Sequence, residues 1–588
     1  MRENSFYWNP ANLDLKNSNI INVNLDNNYY NSYESLEILL DRLNENYKKK
    51  YLSEIRNINS IKQSLNEYIS SMDVTSDSVL YSVIRRISRE SNASMNILND
   101  LCMANLDLIY KVIEDTKSKF AIIVNNAELL DRGSLRFFTQ LIKISTKKEF
   151  VLIWNFKQNV LNDSTVESSN IEDIFINGRF DIFKRVANNA NPAITMSADI
   201  PAYGEKINWG DFPFGSSLID ESAKALITQN YDRALLICKK QLDSEKKSDT
   251  FKIIGLVCSN IGYYKIAYKY FLMALSCCEE AEEKTHLNYL CGLIATKRLY
   301  DFKLARKHYN TALDIIKTCE TSQGKLEKAW VYNGLSFLDV LENSTGYKLH
   351  KFTDILQREI EAMDLIKSSK GYGPVYLRFN LISNITFLLE INKKYEEAFT
   401  LWSNKMGEFF SNRQSDLKVA YNYRLAMLAY KCNKVDFSIS ILETISNLLK
   451  PKNNFYTLEK IYYSLGYINL GLERYEEAKQ YFQLGIDACL TVKEKIGAYK
   501  HFVGFNKAIN RKVNQNGHIE ELEEYYDKIF ENSEGNFKQY TISSNLEAPK
   551  TKLSSYNPII DLEDTPKVDL NKYLISITKR SIDNVQSS

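Results

Sequence analysis

Side chains able to do acid–base or nucleophilic chemistry are sparse in this chain and poorly spaced for it. It has five histidines, His286, His308, His350, His501 and His518, and none lies in the first 285 residues. That removes triad and histidine acid–base chemistry from the N-terminal part. No two histidines stand at metal-ligand spacing, and no HExxH, GxSxG or GxGxxG string occurs. His308 falls inside a repeated helical segment, where a surface or packing role is expected. The nine cysteines include no CxxC pair, and Cys238, Cys258 and Cys291 sit at helix-interior positions. Neither a zinc site nor a Cys277–Cys278 disulfide is expected. Acidic doublets such as Glu279-Glu280 and Glu476-Glu477 fall at helix starts, where they complement the helix dipole. No catalytic, cofactor-binding or metal residue is assigned, and the function left is recognition.

Phosphate chemistry needs a strand, a loop and a helix in fixed order. Phe120–Val124 (FAIIV) and Phe150–Trp154 (FVLIW) are apolar runs of strand length, with a helical pattern over Ser134–Ser145 between them. Strand, helix, strand with short connections predicts a parallel βαβ unit. Alternation over Ile20–Leu25 predicts a further short strand. Helical patterns cover Ser35 to about Ile69, Leu80–Ile87 and Ile97–Glu114.

The stretch AIIVNNAELLDRGSLRFFTQLI, followed by EFVLIWNF, resembles the Walker B strand and next strand of signal-transducing (STAND-type) AAA+ ATPases. Leu130, Asp131, Ser134 and Leu135 match that family's order. NVNLDNNYYNSYESLEILLDRL resembles the strand and helix that follow its phosphate loop. The resemblance spans roughly residues 20–157 and implies an ATPase-like α/β domain with a helical array behind it. The departures fall on the chemistry. The first glycine is Gly133, so no phosphate loop precedes the Walker B-like strand. Downstream, Gly324-Lys325 has Cys319 where the motif needs a glycine. Asn125 and Asn126 stand where magnesium and water would meet carboxylates, and Glu128 is displaced from the strand end. A domain without ATP hydrolysis is expected. It either only folds and packs, or is a pseudo-ATPase reused as a docking or oligomerisation unit.

The firmest pattern lies further on. In Tyr462–Ile486, Tyr462, Leu465 and Gly466 share one helix face, and Tyr475, Ala478, Phe482 and Gly485 share another. Small residues sit where two helices would cross, with aromatics on either side. This spacing resembles the tetratricopeptide repeat (TPR). Phe251, Ile254 and Gly255 precede Tyr264, Ala267, Phe271 and Ala274 in the same frame. Phe302 with Ala305, Tyr395 with Ala398 and Trp402, Val435 with Ser438, and Tyr231 with Ala234 mark further copies. Trp330, Asn333 and Gly334 mark a first helix whose partner is not placed. One such unit cannot bury its own apolar face, so the copies must stack.

The TPR resemblance implies a concave face lined by the first helix of each unit. On that frame Ser383 and Phe387, Tyr423 and Met427, and Tyr463 and Tyr467 line a groove, flanked by Asn380 and Tyr430. Tyr and Met on such a face suit a peptide or helix. Inter-repeat packing is the alternative role for each.

Composition sets the outer bounds. A chain of 588 residues is too long for one core. Its 75 basic and 73 acidic residues nearly cancel, so no nucleic-acid partner is expected, and Lys48-Lys49-Lys50 reads as a solvated helix face. No signal-peptide core or 18-residue apolar run occurs, so a cytoplasmic protein with no membrane partner is expected. The fold class expected is α+β overall and mostly α. A degenerate P-loop-like α/β domain (1–157) and a connector (158–215) precede a TPR-type α-α superhelix (216–532) and a C-terminal tail (533–588). Trp209, Phe212 and Phe214 are expected to dock the connector onto a neighbouring domain. The tail either lies along the helical array or is partly disordered. The function expected is a non-catalytic protein- or peptide-binding scaffold or regulator, with homo-oligomerisation open. A nucleotide- or small-molecule-responsive regulator and an accessory subunit of a modifying enzyme are the alternatives.

Overall fold

The computed structural model describes residues 5–8, 19–25, 34–70, 93–116, 120–125, 150–155, 218–227, 230–244, 248–342, 349–370, 372–410, 415–450, 455–491, 495–512, 546 and 548–551, with single positions between 127 and 174. The Leu80–Ile87 helix, the side-chain roles of Asn126 and Glu128, the docking of Trp209, Phe212 and Phe214, and His518 lie outside the described residues. The chain divides into two units, Met1–Leu381 with Pro558–Glu563, and Ile382–Asn557 with Asp564–Ser588.

The first unit begins with a sheet of β1 (Ser5–Trp8), β2 (Asn19–Asn24), β3 (Phe120–Asn125) and β4 (Phe150–Asn155), in spatial order β1-β4-β3-β2. β2, β3 and β4 run parallel, in a register that aligns Asn24, Asn125 and Asn155. β1 pairs antiparallel with β4 at the edge, Phe6 opposite Trp154. The inner strands β3 and β4 are almost continuously buried, as expected of parallel strands covered on both faces. Helices α1 (Glu34–Asp41), α2 (Glu45–Lys50), α3 (Leu52–Ser70) and α4 (Ala93–Asp115) share this part of the chain. Leu36, Leu39, Leu101, Ile109 and Val112 join Phe120, Ile122, Val124, Leu152 and Trp154 in one core. Ala121, Val151 and Ile153 point to the other face, the side-chain alternation of a strand.

The rest of the described first unit is helical: α5 (Leu218–Ile227), α6 (Tyr231–Ser244), α7 (Ser248–Asn260), α8 (Tyr264–Cys277), α9 (Ala281–Ile294), α10 (Phe302–Ile316), α11 (Ser322–Glu342), α12 (Leu349–Ile366) and the first half of α13 (Tyr372–Ile391). The second unit continues with α14 (Tyr395–Phe410), α15 (Ser415–Lys431), α16 (Val435–Leu449), α17 (Phe455–Gly471), α18 (Tyr475–Thr491) and α19 (Lys495–Lys512). Each anchor read from the sequence, at 231, 264, 302, 395, 435 and 475, is the first residue of a helix. The second helix not placed from sequence, between the anchors at 302 and 395, is α12, packed on α11. The molecule is therefore mostly α with a small α/β part.

The turn between the two helices of a unit recurs with one backbone solution. Two residues before the anchor stands a left-handed residue: Gly262 (φ 96°), Tyr300 (54°), Lys393 (60°), Asn433 (59°) and Glu473 (62°). The next amide closes back onto the preceding helix, as in Tyr263 N–H to Cys258 O, Lys394 to Leu389, Lys434 to Ala429 and Arg474 to Asn469, each 2.9 Å. This caps the orphan carbonyls of the first helix and fixes where the second begins.

Candidate functional site

At the C-terminal ends of the three parallel strands, where an ATPase of the resembled family presents carboxylates, the residues are amides. Asn125 Nδ2 donates to Asn24 Oδ1 at 2.7 Å, and Asn155 Nδ2 donates to Asn125 Oδ1 at 2.7 Å. The Asn125 side chain is therefore engaged on both sides in a ladder across the sheet. An amide ladder offers neutral dipoles and no anionic ligand for a divalent cation. Next to it, Asp131 accepts from the Ser134 backbone N–H at 2.9 Å and from its hydroxyl, an N-cap contact.

A second constellation lies in the second unit, on the first helices α13, α15 and α17. Arg424 of α15 is 3% exposed and Glu390 of α13 is 5% exposed, and the guanidinium donates to Glu390 Oε1 through Nη2 at 2.7 Å and Nε at 3.2 Å. Arg424 Nη1 donates to Ser383 Oγ at 2.8 Å, and the guanidinium stacks 4.5 Å over the Trp402 ring. Burial pulls the Arg424 pKa down, and the Glu390 carboxylate opposes that. Taking these charges out of water is tolerable only because each is paired. At the preceding residue, the Tyr423 hydroxyl lies 2.8 Å from Ser464 Oγ of α17. Burial pushes the Tyr423 phenol up to about 12.

A short piece of the C-terminal region, Leu546 and Ala548–Thr551, is seated on these same groups. Leu546 packs against the α17–α19 core, the Lys550 carbonyl accepts from the Tyr423 hydroxyl at 3.1 Å, and the Thr551 hydroxyl donates to Glu390 Oε2. Pro549 is buried between these contacts, whereas Ala548 and Lys550 are exposed. From Leu546 to Thr551 the contacts pass from the α17–α19 core to α15 and then to α13.

Among the groove residues expected from sequence, Ser383 and Tyr423 come together around Arg424 and Ser464. Tyr463 is half-buried against Phe482 and His501, and Tyr430 and Tyr467 meet edge-to-face at 6.5 Å. Phe387 is 47% exposed. Met427 is 1% exposed and belongs to the α15–α17 core, so its side chain is closed to a partner. Asn380 is half-buried in the first unit. Sequence reasoning missed Glu390, Arg424 and Ser464. The available signal was an acid and a base in otherwise apolar helix faces, Glu390 in FLLEI and Arg424 in NYRLAML.

That signal recurs. His286 Nδ1 of α9 lies 3.4 Å from Glu327 of α11, and His501 Nε2 of α19 lies 3.5 Å from Glu459 of α17, both histidines buried. Three pairs of successive first helices, α9–α11, α13–α15 and α17–α19, therefore each set an acid against a base. Among the described residues, Glu459, Cys489 and His501 bring ligand atoms within 4.8 Å of one another, a donor set suited to a zinc-type ion. The His501 ring also packs edge-on against Tyr463 and Phe482, the role of a core aromatic. His308 bridges Asn288 and Tyr268, at 2.9 Å from each, and burial lowers its pKa. All nine cysteines are free thiols. Among the described residues no helix is long and apolar enough to cross a membrane.

No family model matches the sequence. No curated protein matches it either. Among solved structures, the apo form of RapI matches at 13% identity with a TM-score of 0.33, over 47% of this chain and 98% of that one.

Proposed function

We propose that this chain is a non-catalytic, TPR-type binding protein that holds an extended peptide of a protein partner on the first-helix face of its second unit, as a regulator or scaffold. The observation that carries this reading is the row of Tyr423, Ser464 and Glu390 with a polypeptide segment seated on it. Tyr423 meets a main-chain carbonyl, a contact any sequence can make, and Glu390 meets a side-chain hydroxyl, which selects. The sheet domain is read as a pseudo-ATPase used for docking or oligomerisation, supported by the neutral amide ladder at its strand ends.

The test is an array of extended hydroxyl-containing peptides probed with the full chain, followed by calorimetry of the hits. Binding that falls at least tenfold in Tyr423→Phe and in Glu390→Gln supports the reading. Hits indifferent to both substitutions overturn it. For the sheet domain, a thermal shift with ATP and magnesium should be absent; a clear stabilisation would reverse that part.

A further inference from the structure

The polypeptide seated on the second unit's first-helix face belongs to the chain itself. We propose that Leu546–Thr551 is an intramolecular occupant of the partner site, and that the partner is a peptide of like chemistry, which must displace it. This rests on the peptide-binding reading above and adds both the ligand's chemistry and its regulation.

The contacts define that chemistry. At one end an aliphatic side chain, Leu546, rests on the apolar cluster of Phe482, Phe502 and Ile486. In the middle stands a buried proline, whose ring fixes φ and disfavours helix for the residue before it. The carbonyl after it accepts from Tyr423, whose oxygen is also 2.8 Å from Ser464. At the far end Thr551 donates to Glu390 Oε2. The other carboxylate oxygen is already taken by Arg424, so Oε2 is the position left for a ligand donor. Lys431 Nζ stands 3.9 Å from that oxygen, at the edge of the site. The expected ligand is therefore an extended Leu-x-x-Pro-x-Thr/Ser segment. Its exposed basic position matters little, because Lys550 is exposed.

The same geometry supplies a release mechanism. A negative charge at 551 would face Glu390, whose own charge is balanced by Arg424, and like charges in a half-buried site repel. Phosphorylation of Thr551, or Thr551→Glu in its place, should free the segment and open the face.

Two measurements on the full chain decide the matter. Hydrogen exchange should show residues 546–551 protected in the parent chain, with protection lost in Thr551→Glu and in Tyr423→Phe. A fluorescent peptide copying residues 543–554 should bind the Thr551→Glu chain at least tenfold more tightly than the parent. That gain should vanish when Tyr423→Phe is added. No protection of 546–551 in the parent overturns the docking and leaves the peptide-site reading standing. Protection with equal peptide affinity in both chains overturns the competition alone. Protection with no peptide bound to either chain overturns the peptide-site reading, and the competition with it.

Discussion

A methyl group added at Gly466 would stand 2.8 Å from the ring of Phe482, and one added at Gly504 would stand 2.4 Å from the same ring. The Phe482 ring is fully buried and is clamped between first helices of two successive units. Tyr309 is held likewise between Gly292 and Gly334. Glycine is needed here for close approach, not for its backbone freedom. Gly466→Ala should therefore lose stability. It gains about 1 kcal/mol of helix propensity but overpacks by about 1–3 kcal/mol. A double-mutant cycle with Phe482→Leu by urea melts should show the pair less destabilised than the sum. Strict additivity would refute the clamp.

Backbone freedom matters instead at the inter-helix turns. Lys393 and Glu473 hold φ of 60° and 62°, a region that penalises a side chain by about 1–2 kcal/mol. Gly262 holds φ 96°, and a Cβ placed there would meet nothing within 4 Å, so its substitution tests conformation free of sterics. Gly262→Ala should lower the melting temperature, and Glu473→Gly should raise it. The expected size is up to about 1 kcal/mol each, the left-handed penalty offset by glycine's unfolded-state entropy. Effects of the opposite sign would mean that these turns are not held left-handed in solution.

The Arg424–Glu390 pair makes a sharper prediction. Arg424→Met leaves a buried carboxylate without its guanidinium and should cost about 3–5 kcal/mol. Adding Glu390→Gln removes the stranded charge, so the double variant should recover much of that loss in denaturant melts. If the double variant is as unstable as Arg424→Met, the pair is not what holds α13 to α15.

The sequence carried the repeats well because each helix buries an aromatic and a small residue at fixed offsets, a pattern that survives drift elsewhere. It lost α12, because behind Phe352 the frame's small and aromatic positions hold Ile355 and Glu359. It also lost β1, a four-residue edge strand whose position comes from pairing with β4 rather than from its own alternation. For the site, Tyr423 and Ser383 were legible from the repeat frame, whereas Glu390 and Arg424 were not. A lone charge in an apolar run looks like a solvated interruption until its partner on the next helix is in view. The segment at 546–551 has no periodicity to read, since the groove and not its own pattern gives it a conformation.

Alkaline titration provides the last test. Burial raises the Cys238 thiol from its ordinary 9.0 to about 12. The unfolded chain therefore releases this proton near pH 9, while the native chain holds it until about 12. Stability should be unaffected by this group below pH 9 and should fall as pH rises between those values. At pH 10.5 the loss is about 2 kcal/mol from this one thiol. Cys238→Ala removes that contribution, so its melting curve should flatten between pH 9 and 12 relative to the parent. The same burial predicts that Cys238 resists iodoacetamide at pH 8 in the native chain while exposed Cys277 reacts. Equal labelling of the two, or an alkaline slope unchanged in Cys238→Ala, would show that the α6 thiol is not buried as described.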